Sequence, residues 1–210
     1  MYIANPVYSV VFKYMMADNK AKAFAKLISF LFSLICFISC TGNKSVIEGK
    51  VPDASYNNEI VYLVPVKNAS SKTVDSTVIR NSRFQFKINP EKQNQIFIIR
   101  VKPILRIKLQ EILVASEQGT VFVNLDMPSS ASGTPLNNVL QQWKEKKFVA
   151  DSTYYTLNRQ YNKETGESEK AQLQSELDDI KKEYKTYEDS LVEKNKDNVV
   201  GQFIQSLRQP

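Results

Sequence analysis

The 210 residues contain no histidine, only two cysteines, and only six glycines. Lacking histidine, the chain has neither the commonest general base nor the commonest transition-metal ligand. The glycines stand singly, so no phosphate-cradling loop forms, and no Gly-x-Ser-x-Gly elbow is present to expose a serine nucleophile. Both cysteines, Cys36 and Cys40, fall among the first 40 residues. Removal of that segment would leave no free thiol for a disulfide or a CxxC redox motif. Positive charge is also scarcer than the formal net of +6 suggests, because residues 1–40 hold four lysines against one aspartate. Residues 41–210 net only +3, too little for the basic stripe that nucleic-acid binding requires. These absences point to a chain with no enzymatic chemistry, no cofactor and no metal.

What the sequence does have begins with LISFLFSLICFISCTGNK, residues 27–44. Residues 27–39 carry no charge, and Lys20, Lys22 and Lys26 precede them. A membrane-spanning helix needs about 20 apolar residues. A shorter run behind a basic flank has the shape of a secretory signal. The run ends in Phe37-Ile38-Ser39-Cys40, which resembles the lipobox of bacterial lipoproteins, with Phe37 where leucine is usual. That resemblance implies cleavage before Cys40, lipidation of its thiol, and a membrane-anchored lipoprotein of the bacterial cell envelope. Thr41-Gly42-Asn43-Lys44 lacks an acidic export cluster, which favours an anchor facing the periplasm. Ahead of this leader, Asn5-Pro6, Val11-Phe12-Lys13-Tyr14 and Asp18-Asn19-Lys20 resemble the opening of the PD-(D/E)xK nuclease family of transposase-associated proteins. Nothing past Lys26 continues that pattern, so the reading is a recombined or mis-called gene start without nuclease function.

Residues 44–126 alternate as strands do. Ile60, Tyr62 and Val64 form one set, Phe84, Phe86 and Ile88 another, and Val121, Phe122 and Val123 a short apolar run. Turn-rich breaks separate them about every ten residues. Seven strands are expected, at 45–51, 59–66, 72–80, 83–89, 94–102, 105–115 and 120–126, packed as antiparallel hairpins in a sandwich. Pro65 and Pro103 belong at strand ends or an edge, since each lacks a ladder donor. The period then changes. Leu136, Leu140, Trp143, Lys147, Ala150, Tyr154, Leu157 and Tyr161 step by four and three; Leu173, Leu177, Ile180, Tyr184, Tyr187 and Leu191 repeat the pattern after a polar loop at 162–166. Two such stripes should close as a helical hairpin, with Thr134 as cap and Pro135 at the first helical position. A dimeric coiled coil through the second stripe is the competing use. The expected fold class is therefore α+β: an N-terminal antiparallel β-sandwich of about seven strands, then an α-helical hairpin. The expected divisions are 1–39 for extension and signal peptide, 40–130 for the sandwich, and 131–210 for the hairpin and a C-terminal helix.

Three blocks carry a further resemblance: VDSTVIRNSRFQFK at 74–87, SGTPLNN at 132–138 and KNKDNVVGQFI at 194–204. In that order they resemble a family of uncharacterised domains in envelope lipoproteins, over roughly residues 45–209. Ser82 stands where that family has a turn glycine, although Asn81 can supply the left-handed conformation. The family's domain commonly precedes a thioredoxin-like domain of the AhpC/TSA or TlpA type. The resemblance thus implies a thioredoxin-like partner, and a chain ending at Pro210 about where that domain would start.

Candidate sites are few. Cys40 is the lipidation site. Asp75-Ser76 could bind a ligand, or fix a turn or strand end. Glu176, Asp178, Asp179, Glu183, Glu188 and Asp189 could suggest a metal cluster, but Lys181, Lys182 and Lys185 interleave them, which reads as a solvated, salt-bridged helix face. Asp75-Ser76-Thr77 and Asp151-Ser152-Thr153 resemble an O-glycosylation acceptor tripeptide of envelope proteins. Trp143, Tyr154, Tyr155 and Tyr161 could stack on sugar, though helical spacing favours core packing. The expected function is a non-catalytic, lipid-anchored envelope protein that binds a partner or ligand. The alternative is the N-terminal module, a remnant or split subunit, of a thiol–disulfide oxidoreductase lacking its thioredoxin-like domain. Carbohydrate binding by the sandwich is a third reading.

Overall fold

Eight strands, seven of them marked by apolar patterning, form among the residues described by the computed structural model, which are 45–101 and 111–208. The expected signal peptide, Cys40, Pro103 and the start of the sixth expected strand lie outside them. The strands are β1 (Ser45–Lys50), β2 (Ile60–Pro65), β3 (Asp75–Val78), β4 (Arg83–Ile88), β5 (Ile96–Val101), β6 (Glu111–Ala115), β7 (Gly119–Asn124) and β8 (Ser130–Ser132). Sheet one has the order β4-β1-β7-β8 and sheet two the order β3-β2-β5-β6. Their inner faces share a core built on Ile47, Leu63, Phe86, Phe97, Ile99, Val114 and Val121. Pro65 ends β2, as a residue without a ladder donor should. At Gly49 a close approach replaces packing by a side chain: the ring of its cross-strand partner Phe84 occupies the space a Cβ would fill.

The architecture is α+β, two sheets stacked as a sandwich with the helices at the C-terminal end. Three features depart from an antiparallel sandwich of seven hairpin strands. First, β1 and β7 run parallel, Ser45 opposite Gly119 through Lys50 opposite Asn124. A parallel pair needs a long connection rather than a hairpin, and here the chain makes all of sheet two's strands and β4 between them. Second, β3 pairs with β2 while β4 pairs with β1, so the tight turn between them moves the chain from one sheet to the other. Arg80 and Arg83 exchange both backbone hydrogen bonds around Asn81 and Ser82, whose φ values are 52° and 56°. That is the double left-handed geometry of a type I′ turn. Asn58, Asn68 and Asn94 also take positive φ, so asparagine fills positions where a glycine-rich chain would use glycine. Third, β8 is an added strand. With three residues, Ser-Ala-Ser, it is too short and polar to show alternation.

The helices are α1 (Pro135–Tyr161), α2 (Glu167–Lys194) and α3 (Val199–Ser206). Helices α1 and α2 form the expected hairpin about the 162–166 loop, where Glu164 accepts hydrogen bonds from the backbone of Thr165 and Gly166. These two bonds hold the Glu164 carboxyl below its usual range, against the small opposing effect of desolvation. The second stripe faces α1. Lys147 fits the seam because its ammonium lies 5.7 Å from the Tyr184 ring centroid and pairs with Asp151 at 2.9 Å. Sheet two is covered on its outer face as well. Ile96 of β5 and Ala115 of β6 pack into a second core with Leu140, Trp143, Leu191, Val200, Phe203 and Ile204. Sandwich and helices fall in one compact unit, Asn43–Pro210. Among the described residues no helix is long and apolar enough to cross a membrane.

Candidate functional site

Two buried polar clusters fix how the helices meet the sandwich. At the first, Asn137 is fully buried and acts as a substitute strand at the end of β6. Its Oδ1 accepts from Ala115 N at 2.9 Å, and its Nδ2 donates to Ala115 O at 2.7 Å. Nδ2 also donates to Thr134 Oγ1 at 2.9 Å. Thr134 holds the N-cap position of α1 but makes no cap hydrogen bond there, which corrects the expected role of its hydroxyl. Glu117 supplies the cap from outside the helix, its Oε1 accepting from Leu136 N at 2.8 Å and Asn137 N at 3.2 Å. A carboxylate there also complements the positive end of the helix. Pro135 occupies the first turn as expected.

At the second cluster, Glu188 of α2 ties together α1, α2 and the end of the chain. Its Oε1 accepts from Trp143 Nε1 at 2.9 Å and Tyr184 Oη at 2.7 Å, and its Oε2 accepts from Arg208 Nε at 2.9 Å. Burial pushes the Glu188 carboxyl up, but the three donors and the guanidinium charge outweigh it and hold the group below its usual range. Desolvation and the same carboxylate push the Tyr184 hydroxyl strongly upward, so it stays a donor. Arg208 also pairs with Asp189 at 2.9 Å. The cluster is a clamp in which both oxygens of the Glu188 carboxylate are engaged, while Arg208 Nη2 is buried without a partner among the described residues. It offers no free base.

The remaining sequence candidates separate in space. Cys40 lies outside the described residues. Asp75 Oδ1 accepts from Ser76 N at 2.8 Å at the start of the edge strand β3, which fits the strand-end role. Glu176 accepts from Gln172 and Asp178 from Gln174, each one turn away, while Asp189 pairs with Lys185. Among the described residues no group of acidic or sulfur side chains is arranged to hold a metal. Lys181 departs from the expected salt-bridged face and sits 4.9 Å over the Tyr154 ring. Asp151 pairs with Lys147, and the Ser152 and Thr153 hydroxyls donate to Val149 O within α1. Trp143 is buried edge-on to Phe203, as core spacing implied. Tyr155 alone of the four aromatics is well exposed, with Phe148 two turns before it on the same face of α1.

The feature that sequence reasoning missed is the outer face of sheet one. Strand pairing aligns Gln85, Glu48, Phe122 and Ser132 in one row, and Arg83, Lys50, Asn124 and Ser130 in the next. Together they line an open depression of about 820 Å³. Phe122 stands in it with half its surface exposed. Alternation signalled that these residues face away from the core, but only the strand order places four separate segments side by side.

Of the three blocks singled out in the sequence, 74–87 spans β3, the I′ turn and β4, and 132–138 forms the β8–α1 joint that carries Asn137. Residues 45–140 match the family model of a domain of unknown function, DUF4369. The DUF4369 match takes in all eight strands and the first turn of α1, with Glu117, Thr134 and Asn137. The third block, at 194–204, lies beyond the DUF4369 match; in it Asn198 caps α3, accepting from Val200 N and Gly201 N. No curated protein and no solved structure matches the chain.

Proposed function

We propose that this chain is a non-catalytic, lipid-anchored protein of the bacterial cell envelope that binds a partner through exposed surface. One observation supports binding most directly. The α1–α2 hairpin buries most of its apolar seam, yet Phe148 and Tyr155, two turns apart on one face of α1, remain exposed. Exposed aromatic side chains grouped on a rigid helix are the usual anchors of a protein contact. A thioredoxin-like protein is the partner that the family resemblance suggests, and the oxidoreductase-subunit reading makes the same choice.

The anchor reading rests on the basic, apolar and cysteine pattern of residues 20–40. Several buried acyl chains, each CH₂ adding about 0.8 kcal/mol, hold a protein on a bilayer. Cell fractionation of the Cys40→Ala chain tests it: the variant is expected in the soluble envelope fraction, and a variant still bound to membrane would sink the anchor. Photo-crosslinking from positions 148 and 155 tests the contact surface. The expected outcome is adducts with a thioredoxin-like protein at those positions and none from position 87 on sheet one. Equal labelling at all three positions would count against the hairpin.

A further inference from the structure

We propose that the outer face of sheet one is a binding site for an acidic glycan. This goes beyond the partner contact on the hairpin and is independent of the anchor. Lys50 and Arg83 are directly opposed on β1 and β4, where like charges repel across about 5 Å. Both are exposed and neither forms an ion pair with a described residue, so both charges are available to an anion that binds between them. Charge-assisted hydrogen bonds from a guanidinium and an ammonium suit a carboxylate or sulfate. In the neighbouring row Phe122 lies half exposed. Its ring is seated over Gly133, where a Cβ would come within 2.7 Å of Phe122 Cδ2. The ring therefore lies against the Gly133 backbone and presents its exposed part as an aromatic surface on which the C–H side of a sugar ring can stack.

The rest of the depression combines the amides of Gln85 and Asn124 and the hydroxyls of Ser130 and Ser132 with apolar lining from Val78, Phe84 and Val123. Glu48, opposite both Gln85 and Phe122, adds an acceptor. Four strands extend roughly 15 Å across, enough for a short run of sugar rings. A membrane surface would favour a denser basic cluster than one lysine and one arginine, and the experiment below separates a glycan from an acidic peptide.

Titration calorimetry on the full chain in a polyoxyethylene detergent tests the proposal. The probes are a uronic-acid hexasaccharide, a sulfated hexasaccharide, a neutral glucose hexasaccharide, a glutamate-rich peptide, and mixed micelles containing phosphatidylglycerol. At least one acidic hexasaccharide is expected to bind, more weakly as salt rises. Phe122→Ala and the double variant Lys50→Gln/Arg83→Gln should each weaken it at least about tenfold, with thermal unfolding unchanged. Phe122→Tyr should bind like the parent, and so should Phe148→Ala on the hairpin. If Phe122→Ala fails to fold, Phe122→Leu replaces it. Absence of binding to both acidic hexasaccharides, unchanged affinity in the variants, or preference for the neutral sugar, peptide or lipid overturns the proposal.

Discussion

At the scale of single residues, the junction between sheet and helix depends on Asn137. Its side chain satisfies both backbone groups of Ala115 inside the structure, and a buried unsatisfied backbone group costs about 1–3 kcal/mol. Asn137→Leu keeps the branched shape, with a larger side chain, but removes both bonds, so it should lower stability by about 3 kcal/mol, read as a shift in urea midpoint with unchanged slope. Lys144 gives a pH signature. Burial lowers its ammonium from 10.5 to about 8, with neighbouring Glu145 acting in the opposite direction. The folded chain therefore releases this proton at lower pH than the unfolded chain does. Between about pH 8 and 10 the unfolded state holds more protons, and stability rises with pH. Urea titrations across that window should show a positive slope that Lys144→Met flattens. A slope unchanged by the substitution would remove Lys144 as its cause.

At the scale of elements, the hairpin is held by its apolar seam and by the Glu188 clamp. The seam sets which faces meet, while the clamp fixes their register, because one carboxylate must reach Trp143, Tyr184 and Arg208 together. Glu188→Ala leaves Arg208 Nε and the Trp143 indole donor without their acceptor, although Asp189 still pairs with the guanidinium, at a cost of about 2 kcal/mol. Glu188→Gln separates charge from shape. The Glu188 carboxyl is held below its usual 4.5, so its contribution is full above that value and declines as pH falls through the lowered one. The parent should lose stability on acidification more steeply than Glu188→Gln, as followed by circular dichroism. Parallel acid curves would show that the clamp is held by packing alone.

At the scale of the molecule, two cores share two strands. Phe97 and Val114 face the sandwich interior, while their neighbours Ile96 and Ala115 face the helices. Losing either core strips one face of β5 and β6, so the two should unfold together. Trp143 is the chain's one tryptophan and lies in the helical core. Its fluorescence and the far-ultraviolet signal of the chain lacking residues 1–40 should therefore report one coincident urea transition. Two separated transitions would make the helices an independent unit.

Periodicity was enough to find the elements. Alternation located seven of the eight strands, the four-three step located both long helices, and the polar loop at 162–166 implied the hairpin. These signals are local, since each follows from the backbone geometry of a few consecutive residues. The lipidation assignment at Cys40 is likewise a reading of local pattern. Contacts between distant segments were decided only by the tertiary structure. The parallel pairing of β1 with β7 joins residues more than 70 positions apart, and no local pattern encodes the direction of such a return. Capping of α1 by Glu117 and the convergence on Glu188 likewise depend on elements meeting in space. The same holds for the outer face of sheet one: Phe122, Lys50, Arg83 and Ser132 read separately as ordinary strand exteriors. They become a single surface because hydrogen-bonded strand order, which sequence spacing does not specify, sets them side by side.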